Sequence, residues 1–260
     1  MAAPRGPTTS ARRSWLGPLL AAGVLAAALA LIGLGAWQLQ RLTERRIENA
    51  ALAARLAQPA LDLNTTPGLR VQEYQPLRVT GVYDFAQEIV LRNRAYREQP
   101  GVHALTPLRL AGSDQVVLVD RGWLPFLEAD AAARAVYHTP AGEVTITGLA
   151  RLSQSRSMPF LPADPTPSPG QGRLDAWFWP DLPQIAAQLP YPILSFYVEA
   201  DPPAGAAPLS VLPYPTHDYD LSDGPHLSYA LQWFAFAATL LIGSLVLWRQ
   251  SGRGRAARTR

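Results

Sequence analysis

Residues 15 to 37 read WLGPLLAAGVLAAALALIGLGAW, 23 residues without a charged side chain. A helix needs about 20 apolar residues to cross roughly 30 Å of hydrocarbon, so the stretch predicts a transmembrane helix. A second charge-free run, LSYALQWFAFAATLLIGSLVLW, covers 227 to 248 and predicts another. A secretory signal, with Arg12 and Arg13 ahead of the apolar core and Ala28-Leu29-Ala30 as a small-x-small cleavage site, is the competing reading of the first run. The run continues to Trp37, beyond the usual hydrophobic core of a signal, which favours a retained anchor.

Charge orients the pair. All 23 basic residues are arginine; three precede the first run and five follow the second, while the other 15 and all 20 acidic residues lie between. By the positive-inside rule the arginine-rich C-terminal tail is cytoplasmic. Two spans then put both termini on the cytoplasmic side of a bacterial cell membrane. The expected organisation is a cytoplasmic tail (1–14), a transmembrane helix (15–37), an extracytoplasmic, periplasmic domain (38–226), a second transmembrane helix (227–248) and a cytoplasmic arginine-rich tail (249–260). The chain has no cysteine, which excludes disulfides, thiolate metal sites and thiol redox chemistry. The lipid bilayer is an expected partner, and nucleic acid is not.

Between the runs, residues 38–57 carry strong helix formers at helical spacing with no Gly or Pro, predicting that the first helix continues beyond the membrane as far as Pro59. From Pro76 the pattern becomes β-type: PLRVTGVYD and, loosely, EVTITGLAR alternate, QVVLVDRGW is a buried-strand run, and EIVLRN, VHALTPLRL and ILSFYVEA read as further strands joined by short turns. Residues 128–136 and 181–189 predict short helices, 158–172 a proline-rich surface loop and 202–215 an extended connector. The expected fold class is an α+β membrane protein in which two transmembrane helices flank an antiparallel, barrel-like, β-rich domain.

The chain contains no nucleophile elbow, phosphate-binding loop, dinucleotide fingerprint or paired-histidine zinc motif. A Ser-His-Asp arrangement is not positioned by sequence. His103, on a strand, reads as a histidine bonded to a neighbouring carbonyl, and His138 and His217, beside turn residues, as solvated. Asp120 and Arg121 read either as a functional pair or as a salt bridge at a strand end. Asn64-Thr65-Thr66 matches a glycosylation pattern.

His226 differs in kind. Tyr229, Ala230, Trp233 and Ala237 follow it along one helix face, and the small residues leave room beside the rings for a flat apolar ligand, with the imidazole as an axial iron ligand. The competing reading is an interfacial histidine among belt aromatics, with alanines that serve helix packing. In the first helix, Ala22/Ala26/Ala30 and Gly23/Ala27 form small-residue ladders expected to pair with the second.

In order along the chain, LGAWQLQRL (34–42), PLRVTGVYD (76–84), LRNRAYREQPGVHALTPLRL (91–110), VVLVDRGWLP (116–125), WFWPDLPQIA (177–186) and HLSYALQWFAFA (226–237) together resemble the SURF1/Shy1 family of cytochrome c oxidase assembly factors. The resemblance implies a two-span protein with a non-enzymatic chaperone role in respiratory-chain biogenesis, helping haem a reach oxidase subunit I. Its alternative is a structural scaffold that does not bind haem. It implies subunit I and, second to it, haem a synthase as partners. It also implies haem a as a transient cofactor, with His226 as the iron ligand and Tyr229 and Trp233 as contacts. Trp37, Arg121, Gly122 and Trp123 fall on other family motifs. Gly224 and Pro225 stand where the family often has two asparagines, so orientation of the imidazole by those side chains is absent here.

Overall fold

The computed structural model describes residues 12–258 apart from 67, 69, 140, 157, 165–171, 206, 208 and 218. Much of the expected 158–172 loop and of the N-terminal tail, and the last two residues, lie outside the described residues. The chain divides into two compact units, one of residues 1–51 and 221–260 and one of residues 52–220.

The first unit is built from α1 (Arg12–Leu56) and the last helix, His226–Arg258. Both are long and apolar enough to cross a membrane. Their outward sides carry large apolar residues, among them Leu20, Leu25 and Leu29 on one and Leu231, Ile242 and Leu247 on the other. Shielded positions on α1 recur at Val24, Ala28, Leu31, Gly35, Gln38, Leu42, Arg45 and Asn49; on the last helix they recur at His226, Ala230, Trp233, Ala237, Leu240 and Ser244. Steps of four and three give a 3.5-residue period, the seam of two helices packed as in a coiled coil. Gly35 belongs there because a Cβ would lie 2.4 Å from the Phe234 ring. The expected ladders Ala22/Ala26/Ala30 and Gly23/Ala27 face outward instead, since a seam has room for one face and the heptad positions occupy it.

The second unit contains strands β1 (Leu61–Asp62), β2 (Pro76–Tyr83), β3 (Ile89–Tyr96), β4 (Gln99–Leu110), β5 (Val116–Pro125), β6 (Val144–Leu152), β7 (Ala176–Trp177) and β8 (Phe196–Ala200). Two short helices, α2 (Ala131–Arg134) and α3 (Leu182–Ala186), fall within the segments predicted helical; the long terminal helix is α4. The strand order is β1-β2-β6-β8-β5-β4-β3-β7, and β2 also pairs with β4, so the pairings run from β2 through β6, β8, β5 and β4 back to β2. The sheet is mixed rather than antiparallel: β1–β2, β3–β7 and β5–β8 are parallel. The long excursion after β5 is what lets β8 return beside it in the same direction, as a hairpin cannot.

Alternation along the strands sorts the side chains. Val117 and Val119 of β5, Phe196, Val198 and Ala200 of β8, Leu77 and Val79 of β2 and Leu108 and Leu110 of β4 pack into one core. The opposite face carries Leu118 of β5 and Tyr197 of β8, which pack with Ile89, Leu105, Trp177 and Ile185. Polar side chains on this second face build a cavity.

Candidate functional site

His226 opens α4 and lies on the helix seam. Its Nδ1 is 2.9 Å from Oε1 of Gln38 on α1. A carboxamide oxygen only accepts, so Nδ1–H donates this bond, and in the neutral ring Nε2 then keeps its lone pair. This assigns the tautomer in which a histidine offers Nε2 to a metal while a neighbour holds the ring. Gln38 thus holds the imidazole ring from the other helix. Nearby, Arg46 donates to Asp223 at 2.8 and 2.9 Å and Asn49 donates to the carbonyls of Leu221 and Ser222, tying the turn ahead of α4 to α1.

Trp233 shares the seam with His226 and meets Phe236 edge-on, whereas Tyr229 lies off the seam and is 46% exposed. Ala230 and Ala237 are buried, so the space beside them is filled by helix packing. The reading of these alanines as room for a flat ligand is corrected accordingly; the outer sides of Tyr229 and Trp233 remain accessible. Trp37, just before Gln38, is 52% exposed.

In the second unit a cavity of about 330 Å³ is lined by side chains that include Asn93, Arg94, His103, Asp120, Tyr197 and Glu199. The strand period explains the gathering: Asp120 follows Leu118 on the outer face of β5, and Glu199 follows Tyr197 on that of β8. Asp120 Oδ2 lies 2.8 Å from His103 Nδ1, and Thr216 Oγ1 lies 3.3 Å from His103 Nε2, so His103 bonds side chains rather than a carbonyl. Carboxylate, imidazole and hydroxyl thereby tie β5, β4 and the segment that carries Thr216 together. Arg151 donates to Glu199 at 2.9 Å and to Glu73 at 2.8 Å. His217 stands 2.9 Å from Asp201 and 3.5 Å from Glu199, not solvated as expected. Burial alone would lower its pKa, but the hydrogen bonds and charges of these carboxylates outweigh that and raise it to about 9.

Asp120 and Arg121 are not a pair. Successive strand residues face opposite sides, and Arg121 enters a separate cluster around Glu88. That buried carboxylate accepts from Thr106 at 2.5 Å, from Arg121 at 2.9 Å and from Arg134 at 3.1 Å, with His138 at 3.4 Å. His138 also stacks on Phe85 at 4.0 Å, which corrects its reading as solvated. Removing one partner of such a buried ion pair costs about 3–5 kcal/mol, which assigns Arg121 a structural task. Gly122, at φ +118°, has its own: a Cβ would lie 2.3 Å from the Tyr214 carbonyl. Trp123 and Tyr214 exchange backbone hydrogen bonds of 2.8 Å across that contact. Asn64 donates to the carbonyls of Thr80 and Ala111, so the sequon asparagine is engaged by the backbone.

A sequence model of the SURF1 family matches residues 25–238. The chain belongs to the SURF1 family. Among relatives, a SURF1-like protein of Monosiga brevicollis is 28% identical over 243 residues, covering 88% of this chain and 87% of that protein. A SURF1-like protein of Rickettsia bellii is 26% identical, covering 91% and 94%. Surfeit locus protein 1 of Mus musculus is 29% identical over 169 residues, covering 59% and 53%. The SURF1 match includes β2 through β8, Gln38 and His226, and ends just past Ala237, so the seam pair lies inside the family region.

Proposed function

We propose that this SURF1-family protein is an assembly factor for haem-copper cytochrome c oxidase, held in a bacterial cell membrane by α1 and α4 with both termini cytoplasmic. On this reading the second unit is extracytoplasmic, and its ring of strand pairings is a barrel-like support. The protein assists delivery of haem a to subunit I, with His226 as a transient ligand of the iron. The observation that carries the reading is the 2.9 Å bond between His226 Nδ1 and Gln38 Oε1, which leaves Nε2 as the donor atom of a fixed imidazole. Tyr229 and Trp233 supply apolar contact at the outer edge of the helix pair. When bound, haem a presents an iron that accepts an imidazole nitrogen; this chain's part is to hold that nitrogen in place and release the cargo without changing it.

The test is purification of the full chain from cells that also make haem a. The wild type carries haem, His226→Ala loses it, and Gln38→Leu retains it about tenfold less tightly, the cost typical of losing a partner that orients a metal-bound histidine. Equal haem and identical spectra for wild type and His226→Ala refute the ligand role. In a deletion strain, normal haem a per oxidase with less assembled complex favours the alternative, a scaffold that stabilises an assembly intermediate without binding haem.

A further inference from the structure

The cavity of the second unit is bordered by two irregularities of the sheet. The β3–β4 register shifts between Leu91 and Arg94, with Asn93 at φ +56°; the β4–β5 register shifts at Ala104/Leu105, opposite Asp120 and Gly122. Bulges re-aim side chains and cluster beside sites, and here they bring Arg94 and Asp120 into one cavity. Most of the polar groups on its walls are hydrogen-bonded to one another. Asp120 is held by His103 and by the Gly122 amide, Glu199 by Arg151, and His217 by Asp201. Arg94 stands apart: among the described residues its guanidinium makes no hydrogen bond or ion pair, while its backbone carbonyl accepts from the Trp123 indole at 3.2 Å. The cavity therefore offers one guanidinium whose donors are unengaged among the described residues, with Asn93, Gln154 and Thr216 also in its lining.

We propose that this cavity binds a small organic carboxylate, whose charge pairs with Arg94 and whose remaining oxygens meet the neutral polar side chains. A guanidinium presents two parallel donors that match a carboxylate, and about 330 Å³ lies at the small end of ligand sites, which run from about 300 to 1,000 Å³. The site is independent of the His226 reading and stands or falls without it.

Succinate is the probe, titrated by isothermal calorimetry against the detergent-solubilised full chain at constant ionic strength. Wild type binds it saturably, and Arg94→Ala weakens binding roughly tenfold. Arg92→Ala, which alters an exposed arginine set over the Phe178 ring, leaves it unchanged. Arg94 holds no buried partner with its side chain, so its removal preserves the fold; an unchanged melting temperature verifies this. Absence of saturable binding to the wild type overturns the proposal, as does an equal affinity in Arg94→Ala. Inorganic phosphate that binds as tightly as succinate overturns the carboxylate assignment in favour of a general anion site.

Discussion

His217 stands between Asp201 and Glu199, and its pKa is raised to about 9 from the 6.5 of a free imidazole. A raised folded-state value means that the folded chain holds this proton more tightly than the unfolded one. The stabilisation is complete below about pH 6.5 and lost as pH rises through about 9. Asp201 is the reverse case: burial alone would raise its pKa, but the hydrogen bonds from His217 and Thr147 lower it, so its contribution fails only in acid. Thermal unfolding followed from pH 6 to pH 10 should show a fall in Tm that His217→Gln largely removes; an equal fall in both proteins would refute the assignment. None of this was legible in the sequence, because His217 beside Thr216 and Asp218 reads as a turn histidine, and Glu199 belongs to a strand returning from elsewhere. Gln38 escaped notice for the same reason: it lies 188 residues from His226, and spacing along one helix does not reveal a partner on another.

At the level of elements, the two long helices were plain from their lack of charge, but the face on which they meet was not. Small residues permit close approach wherever they occur, and α1 has several such stripes. The seam is selected where a 3.5-residue period coincides with polar anchors beyond the apolar run: Gln38 to His226, Arg46 to Asp223 and Asn49 to Leu221. These contacts proceed in antiparallel order, and Ala28 and Ala237, both buried, lie on the facing seams of the two helices. Because the native chain has no cysteine, Ala28→Cys/Ala237→Cys should form an intramolecular disulfide on oxidation. Ala27→Cys/Ala238→Cys, on exposed positions, should not. Cross-linking of both pairs alike would refute the seam. Among the strands, the six longer ones were legible from alternation or from continuous apolar runs bounded by turns, whereas β1 and β7, of two residues each, are too short to carry a period and exist through their parallel pairing with β2 and β3.

For the whole molecule, the arginine distribution argues for both termini in the cytoplasm, with five arginines after α4 and all acidic residues between the two apolar runs. A fluorescent protein fused after residue 260 should fold and fluoresce, and alkaline phosphatase inserted in the proline-rich segment 158–172 should be active. The opposite pattern would invert the topology. What the sequence determined by itself were properties summed over neighbouring residues: two helices able to cross a membrane, the helix running on past Trp37, the run of strands, the freedom from disulfides and, through ordered motifs, membership of the SURF1 family. What only the tertiary structure decided was which distant groups meet. A mixed sheet replaced the antiparallel one, Asp120 and Arg121 parted to opposite faces, His103 joined Asp120, and Gln38 met His226. The physical reason is that hydropathy and local propensity act over one or two turns, whereas a hydrogen-bond partner is chosen only when the closed fold brings remote segments within about 3 Å of each other.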